Sequence, residues 1–248
     1  MPEEWVDWHR NYEEDPSMGA RLREVQSQIR AALDRAPSGP FRVVSACAGD
    51  GRDLLGALVD HPRRDDVRAL LIELSPTLVA AGRARVRSMG VTGVEFAQGD
   101  AGESNAYLGS VPANLVLLCG VFGNITDEDL RNTVDHAPEL CAPGATVIWT
   151  RGRFAPDLTP TIRRWFHDAG FEELSFSTIV GSTKSVGVHR LVRPPPPFRP
   201  GTRLFTFLPE EERPSHRSGS RVSRASKRPL SRARRARRAR SAKTPARP

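Results

Sequence analysis

The chain has 248 residues, 38% of them hydrophobic and 27% charged, which is enough for one well-buried α/β domain with additional segments. Its formal charge of +8 is unevenly placed: residues 213–248 hold 14 of the 37 Lys and Arg and no Asp or Glu, leaving 23 basic and 29 acidic residues before them, a net of −6. The basic balance therefore describes a tail and is no ground for a nucleic-acid-binding domain. Cys47, Cys119 and Cys141 are far apart and form no CxxC pair, which argues against a disulfide framework or a zinc site, and no metal is expected.

The opening MPEEWVDWHR has no charged n-region followed by an apolar stretch, and no run approaches about 18 apolar residues, so neither a secretory signal nor a membrane span is expected. A cytoplasmic location fits these features. Residues 1–39 read as helical. Trp5, Trp8, His9 and Tyr12 share one face by their i, i+3, i+4, i+7 spacing. Asp15-Pro16 is a capping side chain followed by a proline suited to the first helical position. Leu22, Val25, Ile29 and Leu33 make a stripe, and the run Ala36 to Pro40 stops the helix.

Strand and helix patterns then alternate. Strands are predicted over 41–45, 67–72, 94–97, 115–119 and 146–150, and helices over 53–59, 76–88, 127–140 and 160–169. Apolar strands alternating with helices imply a mostly parallel sheet between helix layers, a doubly wound α/β fold. Two last strands, 171–179 and 185–192, are separated only by a short stretch around Gly181 and should pair antiparallel. Pro194 to Pro197 is an extended polyproline segment, and 201–207 is an edge strand or a cover. Beyond Glu212 the chain is Arg, Ser, Ala and Pro, too poor in apolar groups to offset the entropy of ordering.

The informative stretch is Ser45-Ala46-Cys47-Ala48-Gly49-Asp50-Gly51-Arg52-Asp53, which follows the first strand and opens a helix. Small residues there let backbone N–H groups approach a ligand, and a helix N-terminus favours negative charge. Glu73 ends the second strand 22 positions after Gly51, where a carboxylate can accept from ribose hydroxyls. Asp100, after the third strand, is placed to accept from an adenine amino group. Each feature alone is common, but their order at successive strand ends is the signal.

With these residues in place, residues 41–192 resemble class I S-adenosylmethionine (SAM)-dependent methyltransferases. Ser45, Cys47, Gly49 and Gly51 stand where that family has an acid and three glycines, so the acid and the first glycine are replaced. The run Trp165 to Phe171 and the antiparallel pair after it also resemble the family's C-terminal end. The resemblance implies a Rossmann-like methyltransferase fold of seven strands, with a helical N-terminal lid (1–39), a SAM-binding domain (40–208) and a disordered basic tail (209–248). SAM would lie on Cys47, Ala48, Gly49, Gly51, Asp53, Glu73, Leu74, Asp100, Ala101 and Gly120.

The acceptor, expected to be a small molecule, would meet Phe122, Asn124, Arg151 and the aromatic face of Trp5, Trp8 and Tyr12. His9 is the candidate base, since an imidazole suits proton removal near neutrality. The other reading of that face is a packing stripe. Cys119 lacks a Pro-Cys context and reads as a buried strand residue. Two alternatives stand beside this one. An NAD-type oxidoreductase would use Glu73 but leaves Asp100 and the terminal strand pair unexplained. A nucleic-acid-directed protein would use the tail, whose weak polyanion contacts would be steeply salt-dependent.

Overall fold

In the computed structural model, residues 15–213 are described; Trp5, Trp8, His9, Tyr12 and nearly all of the basic tail lie outside the described residues. The first helix, α1 (Pro16–Arg35), begins as its chemistry dictates: the Asp15 carboxylate accepts from the Ser17 N–H at 2.8 Å, and Pro16 needs no donor partner. Lys184 donates to the same carboxylate at 2.9 Å and, with Ser17, holds it well below the usual carboxylate range. The inward stripe is Met18, Arg21, Val25, Ile29 and Leu33, so Arg21, rather than Leu22, occupies the second buried position. That places a guanidinium against the end of the sheet.

The strands are β1 (Phe41–Ala46), β2 (Val67–Glu73), β3 (Val94–Gln98), β4 (Ala113–Leu118), β5 (Cys141–Gly152), β6 (Phe171–Thr178) and β7 (Lys184–Leu191). They form one seven-stranded sheet in the order β3-β2-β1-β4-β5-β7-β6. The pairs β1–β2, β1–β4, β2–β3 and β4–β5 are parallel, while β7 runs antiparallel to both β5 and β6. The sheet thus reverses direction at one strand only, as the short connection between β6 and β7 predicted. β5 extends beyond its apolar run of 146–150 at both ends, to Gly152 where β7 pairs with it and back to Cys141, which pairs with Ala113 of β4.

Alternation divides the core into two layers. Val43, Leu115, Leu117 and Ile148 face one side, with α1, α2 (Arg52–Leu58) and α3 (Pro76–Met89). Val44, Val116, Leu118, Val147 and Trp149 face the other, with α4 (Asp127–Leu140) and α5 (Thr159–Asp168). On that side Trp149, fully buried, stacks on Phe166 at 6.1 Å. A Cβ at position 187 would come within 2.2 Å of its indole, so Gly187 is what lets the ring lie on β7.

The N-terminal ends of the helices lie where strands end, and the parallel part of the sheet therefore presents its loops along one edge. Leu204 and Phe205, 3% and 2% exposed, join the second core layer after the chain has left β7. Residues 201–207 are thus a cover anchored in the core, making only isolated bridges rather than an eighth strand. Arg213, 7% exposed, donates through Nε to the Leu208 carbonyl. Glu212 N–H likewise donates to the Pro209 carbonyl at 3.0 Å, so residues 209–213 fold back on their own segment.

His189 carries a test of this core. It is 1% exposed, accepts the Trp149 indole N–H through Nδ1 at 3.2 Å, and lies 3.7 Å through Nε2 from the Glu173 carboxylate, itself paired with Arg163. Burial pushes its pKa down to about 4, with Glu173 opposing that fall and Arg163 reinforcing it. Between pH 6.5 and 4 the unfolded chain binds a proton that the folded chain refuses. Stability therefore falls as the pH drops through this window, by about 3 kcal/mol for this group. Urea unfolding at pH 7 and pH 4.5 should show a smaller acid loss in His189→Phe than in the wild type, even though orphaning the indole N–H lowers its stability at pH 7.

Candidate cofactor and acceptor site

The carboxyl ends of β1, β2, β3 and β4 converge on a cavity of about 380 Å³. Its floor is the β1–α2 loop. Here Cys47 has φ 51, Gly49 φ 60 and Gly51 φ 76, three left-handed residues in five. Glycine adopts that conformation without cost, whereas at Cys47 a side chain is held in it at roughly 1 kcal/mol or more. The strain sits where the resembling family has its first glycine. Gly51 also lies under Phe96 and Leu71, whose atoms a Cβ would meet at 2.7 and 2.9 Å. It shapes the turn but does not line the cavity.

Glu73 fixes this loop. Its carboxylate, 6% exposed, accepts the Gly49 N–H through Oε2 at 2.8 Å and the Ser75 N–H through Oε1 at 2.9 Å. The Ala48 N–H donates to the Ile72 carbonyl at 2.9 Å, and Gly99 N–H to the Glu73 carbonyl at 3.1 Å. Three strand ends are thereby laced together around one side chain. Each carboxylate oxygen retains a further acceptor position, the requirement for holding a ribose hydroxyl pair.

Asp100 accepts the Gly102 N–H at 2.8 Å and the Arg203 guanidinium at 2.7 Å. Leu74, 60% exposed, supplies apolar surface at the rim. Of the ten residues the sequence assigned to cofactor, Cys47, Ala48, Gly49, Asp53, Glu73, Leu74, Asp100, Ala101 and Gly120 line this cavity. Sequence reasoning missed Arg21, on α1, and Thr206, Phe207, Leu208, Pro209 and Arg213, on the returning C-terminal segment. Arg21 was hidden because Leu22, not its charged neighbour, was expected to begin the buried stripe that continues through Val25, Ile29 and Leu33. The others follow a polyproline stretch that carries no nucleotide-binding pattern.

A second cavity of about 410 Å³ lies at the ends of β4 and β5, lined among others by Asp15, Arg21, Gly120, Asn124, Thr150, Arg151 and Lys184. Arg21 and Gly120 are walls of both cavities. Thr150 organises the junction: its Oγ1 accepts the Gly120 N–H at 2.9 Å and Arg21 Nη1 at 3.3 Å. Asn124 donates to the Gly120 carbonyl at 2.6 Å. Asn124 and Arg151, two residues the sequence assigned to the acceptor, are brought to this cavity. Phe122 is not: its ring is fully buried against Trp149 and Phe166, and only its carbonyl reaches Arg151. The apolar run through Val121 and Phe122 turns inward before the loop opens at Gly123.

Burial lowers the Arg151 pKa, with Asp127 and Asp157 opposing. Burial first, then the carboxylates of Glu73 and Asp100, pushes the Cys47 thiol well above its usual range. The Cys119 thiol is raised likewise by burial and by Asp53, with Arg21 opposing. Both shifts favour the protonated thiol over the thiolate. Among the described residues no cluster of three His, Cys, Asp or Glu side chains is arranged to hold a metal ion. No helix among them is long and apolar enough to cross a membrane.

A family model described as "Putative methyltransferase" matches residues 17–168. An Escherichia coli (strain K12) relative, the uncharacterized protein YnbC, is 31% identical over 147 residues, which are 56% of this chain and 25% of that protein. The chain thus spans a quarter of that relative's length. An O-methyltransferase family protein from Burkholderia thailandensis matches with a TM-score of 0.54 and 20% identity, over 70% of this chain and 57% of that one, so just over half of its length is spanned. Magnesium protoporphyrin IX methyltransferase from Synechocystis, solved with SAM, gives 0.58 and 16%, over 74% and 89%. A TehB-like SAM-dependent methyltransferase from Corynebacterium glutamicum gives 0.53 and 13%, over 76% and 98%. The shared feature at these identities is the fold, that of class I SAM-dependent methyltransferases.

The Glu73 bridge generates a prediction independent of any ligand. In Glu73→Gln the amide nitrogen must face one of the two backbone N–H groups, donor against donor. Stability should fall by about 1–3 kcal/mol. Chemical denaturation of the unliganded protein checks this, and an unchanged midpoint removes the bridge from its structural role.

Proposed function

The chain belongs to the methyltransferase family that it matches over residues 17–168, and from that premise we propose that it transfers the methyl group of SAM to a small acceptor held in the second cavity. The observation that carries the reading is the junction: Arg21 and Gly120 wall both cavities, at the carboxyl ends of β1 and β4. Open α/β sheets bind ligands at that edge, where strand order reverses between β1 and β4.

The residues fit the cofactor. Glu73 would hold the ribose, Asp100, Ala101 and Leu74 the adenine, and the Gly49 loop with Arg21 the methionine end. SAM supplies a methyl group already activated by its sulfonium. What the chain's own residues contribute is alignment, which can account for most of the acceleration in such a transfer. Thr150 holds Arg21 and the Gly120 loop in register, and Asn124 ties the far side of that loop to it. Arg21 and Arg151 leave the acceptor cavity cationic once Lys184 is offset by Asp15, which suits an acceptor bearing negative charge. Asp15, held low by Lys184, is a poor base at neutral pH. An acceptor that needs deprotonation would take its base from outside the described walls, where His9 is the candidate.

The dinucleotide-oxidoreductase alternative is disfavoured by the antiparallel β7 between β5 and β6 and by the family match. The tail that carries the nucleic-acid alternative lies outside the described residues. Isothermal titration with S-adenosylhomocysteine should give saturable binding, and NAD⁺ and NADH should give none. Glu73→Ala should weaken S-adenosylhomocysteine binding by about tenfold or more through lost charge-assisted hydrogen bonds. Equal affinity in a folded Glu73→Ala protein would remove the ribose assignment.

A further inference from the structure

After β7 the chain crosses back over the carboxyl edge of the sheet, beyond the segment that the family model matches. We propose that residues 202–213 are a built-in wall of the cofactor cavity, with Phe207 and Leu208 packing against the adenosine end of the cofactor. The proposal rests on reading the first cavity as the SAM site.

The segment is held on the body from Thr202 to Leu208 and touches the site at the end of that stretch. Leu204 N–H donates to the Gly102 carbonyl at 2.7 Å, and its own carbonyl accepts from Asn132 at 2.8 Å and from Thr133 at 3.1 Å on α4. The Phe205 carbonyl passes so close to Gly102 that a Cβ there would meet it at 2.2 Å, so the approach needs glycine. Thr206 N–H donates to the Asp129 carboxylate at 3.0 Å, and Leu208 N–H to the Asn124 carbonyl at 2.8 Å. Arg213 then closes back on the Leu208 carbonyl at 3.0 Å. With its backbone donors committed to the body in this way, the segment has a fixed course and presents side chains at defined places.

Those places face the cofactor residues. Phe207 and Leu208 line the same cavity as Glu73, Leu74 and Asp100. Arg203 binds the Asp100 carboxylate directly, at 2.7 Å, and also Glu103 at 2.5 Å. That pairing joins the wall to the carboxylate assigned to the adenine, and it neutralises part of the acidic β3 edge without filling it. An adenine ring has two apolar faces and a polar edge. Leu74, just after β2, and Leu208 from the wall supply apolar surface, while Asp100 supplies an acceptor for the edge. A cofactor bound there would bury the Leu208 side chain, a contact that favours binding in proportion to the area removed from water.

The test uses the full chain and S-adenosylhomocysteine as the probe. Leu208→Asp should weaken its binding about tenfold by isothermal titration, with the unliganded protein's melting temperature confirming the fold. Amide hydrogen exchange of the wild type should slow across residues 203–208 when S-adenosylhomocysteine is added. A folded Leu208→Asp protein that binds as tightly as the wild type overturns the proposal. Should that variant not fold, the exchange result decides: protection supports the wall, and unchanged rates overturn it. A wild type that binds no S-adenosylhomocysteine overturns the SAM reading and the wall with it, whereas wild-type binding with an indifferent wall refutes the wall alone.

Discussion

The Glu73 carboxylate is the constraint on which the rest of the site depends. It is nearly buried and carries two backbone N–H groups, from Gly49 and Ser75, that have no other place to go. A buried carboxylate costs free energy unless its acceptor sites are filled, and buried N–H groups cost likewise. Each therefore stabilises the other's position. The Gly49 contact sets the height of the β1–α2 loop, and the Ser75 contact starts α3, whose N-cap is Ser75 itself. Because both contacts come from one side chain, the cavity floor and the β2 end move as one body. A ribose placed on the remaining lone pairs would meet a carboxylate already oriented by the fold, with little ordering left to do.

The second organising contact is the Thr150 hydroxyl. It accepts from Gly120 and lies within reach of Arg21, so the end of β5, the loop after β4 and α1 meet at one oxygen. Gly120 has φ 79, and a Cβ there would meet nothing within 4 Å. Its glycine is required by the backbone turn rather than by crowding, at a position that lines both cavities. Arg21 belongs to a helix whose other inward residues are apolar. Its guanidinium is tolerated because the stripe ends at the site rather than in the core, where a stem can be covered while the head meets polar groups.

Much of the fold was legible because strand patterns in a sheet buried on both faces are short continuous apolar runs, and the helices between them carry their own punctuation. Asp15-Pro16, Ser75-Pro76 and Thr126 each cap the helix they precede. The Gly49 loop, Glu73 and Asp100 were legible as an order of residues at strand ends, since that order follows from topology. Phe122 was misplaced because an apolar residue after a strand reads the same whether it faces a ligand or the core; only Trp149 and Phe166, distant in sequence, decide it. Arg21 was hidden because an apolar residue, Leu22, stands next to it at an equally plausible start of the stripe. The C-terminal wall was legible only as a cover. Its contacts with Gly102, Asn132 and Asp129 span 70 residues or more of chain, and no local pattern encodes them.

Neutral thiols in this cavity make chemical sense when the cofactor is an alkylating agent. Cys47 and Cys119 both line it, and a thiolate beside a sulfonium would be a competing methyl acceptor. Burial raises both thiol pKa values, and the carboxylates nearby raise them further, Glu73 and Asp100 for Cys47 and Asp53 for Cys119. The groups that would bind the cofactor thus also keep its neighbours protonated. For Cys119 the cation Arg21 pulls the other way, but it is the smaller influence beside burial and Asp53. The strained φ of Cys47 points to the same economy of roles. A left-handed backbone at Cys47 precedes the Gly49 N–H that Glu73 holds, and the half-buried thiol it carries, its pKa raised, offers no ready nucleophile to the cavity.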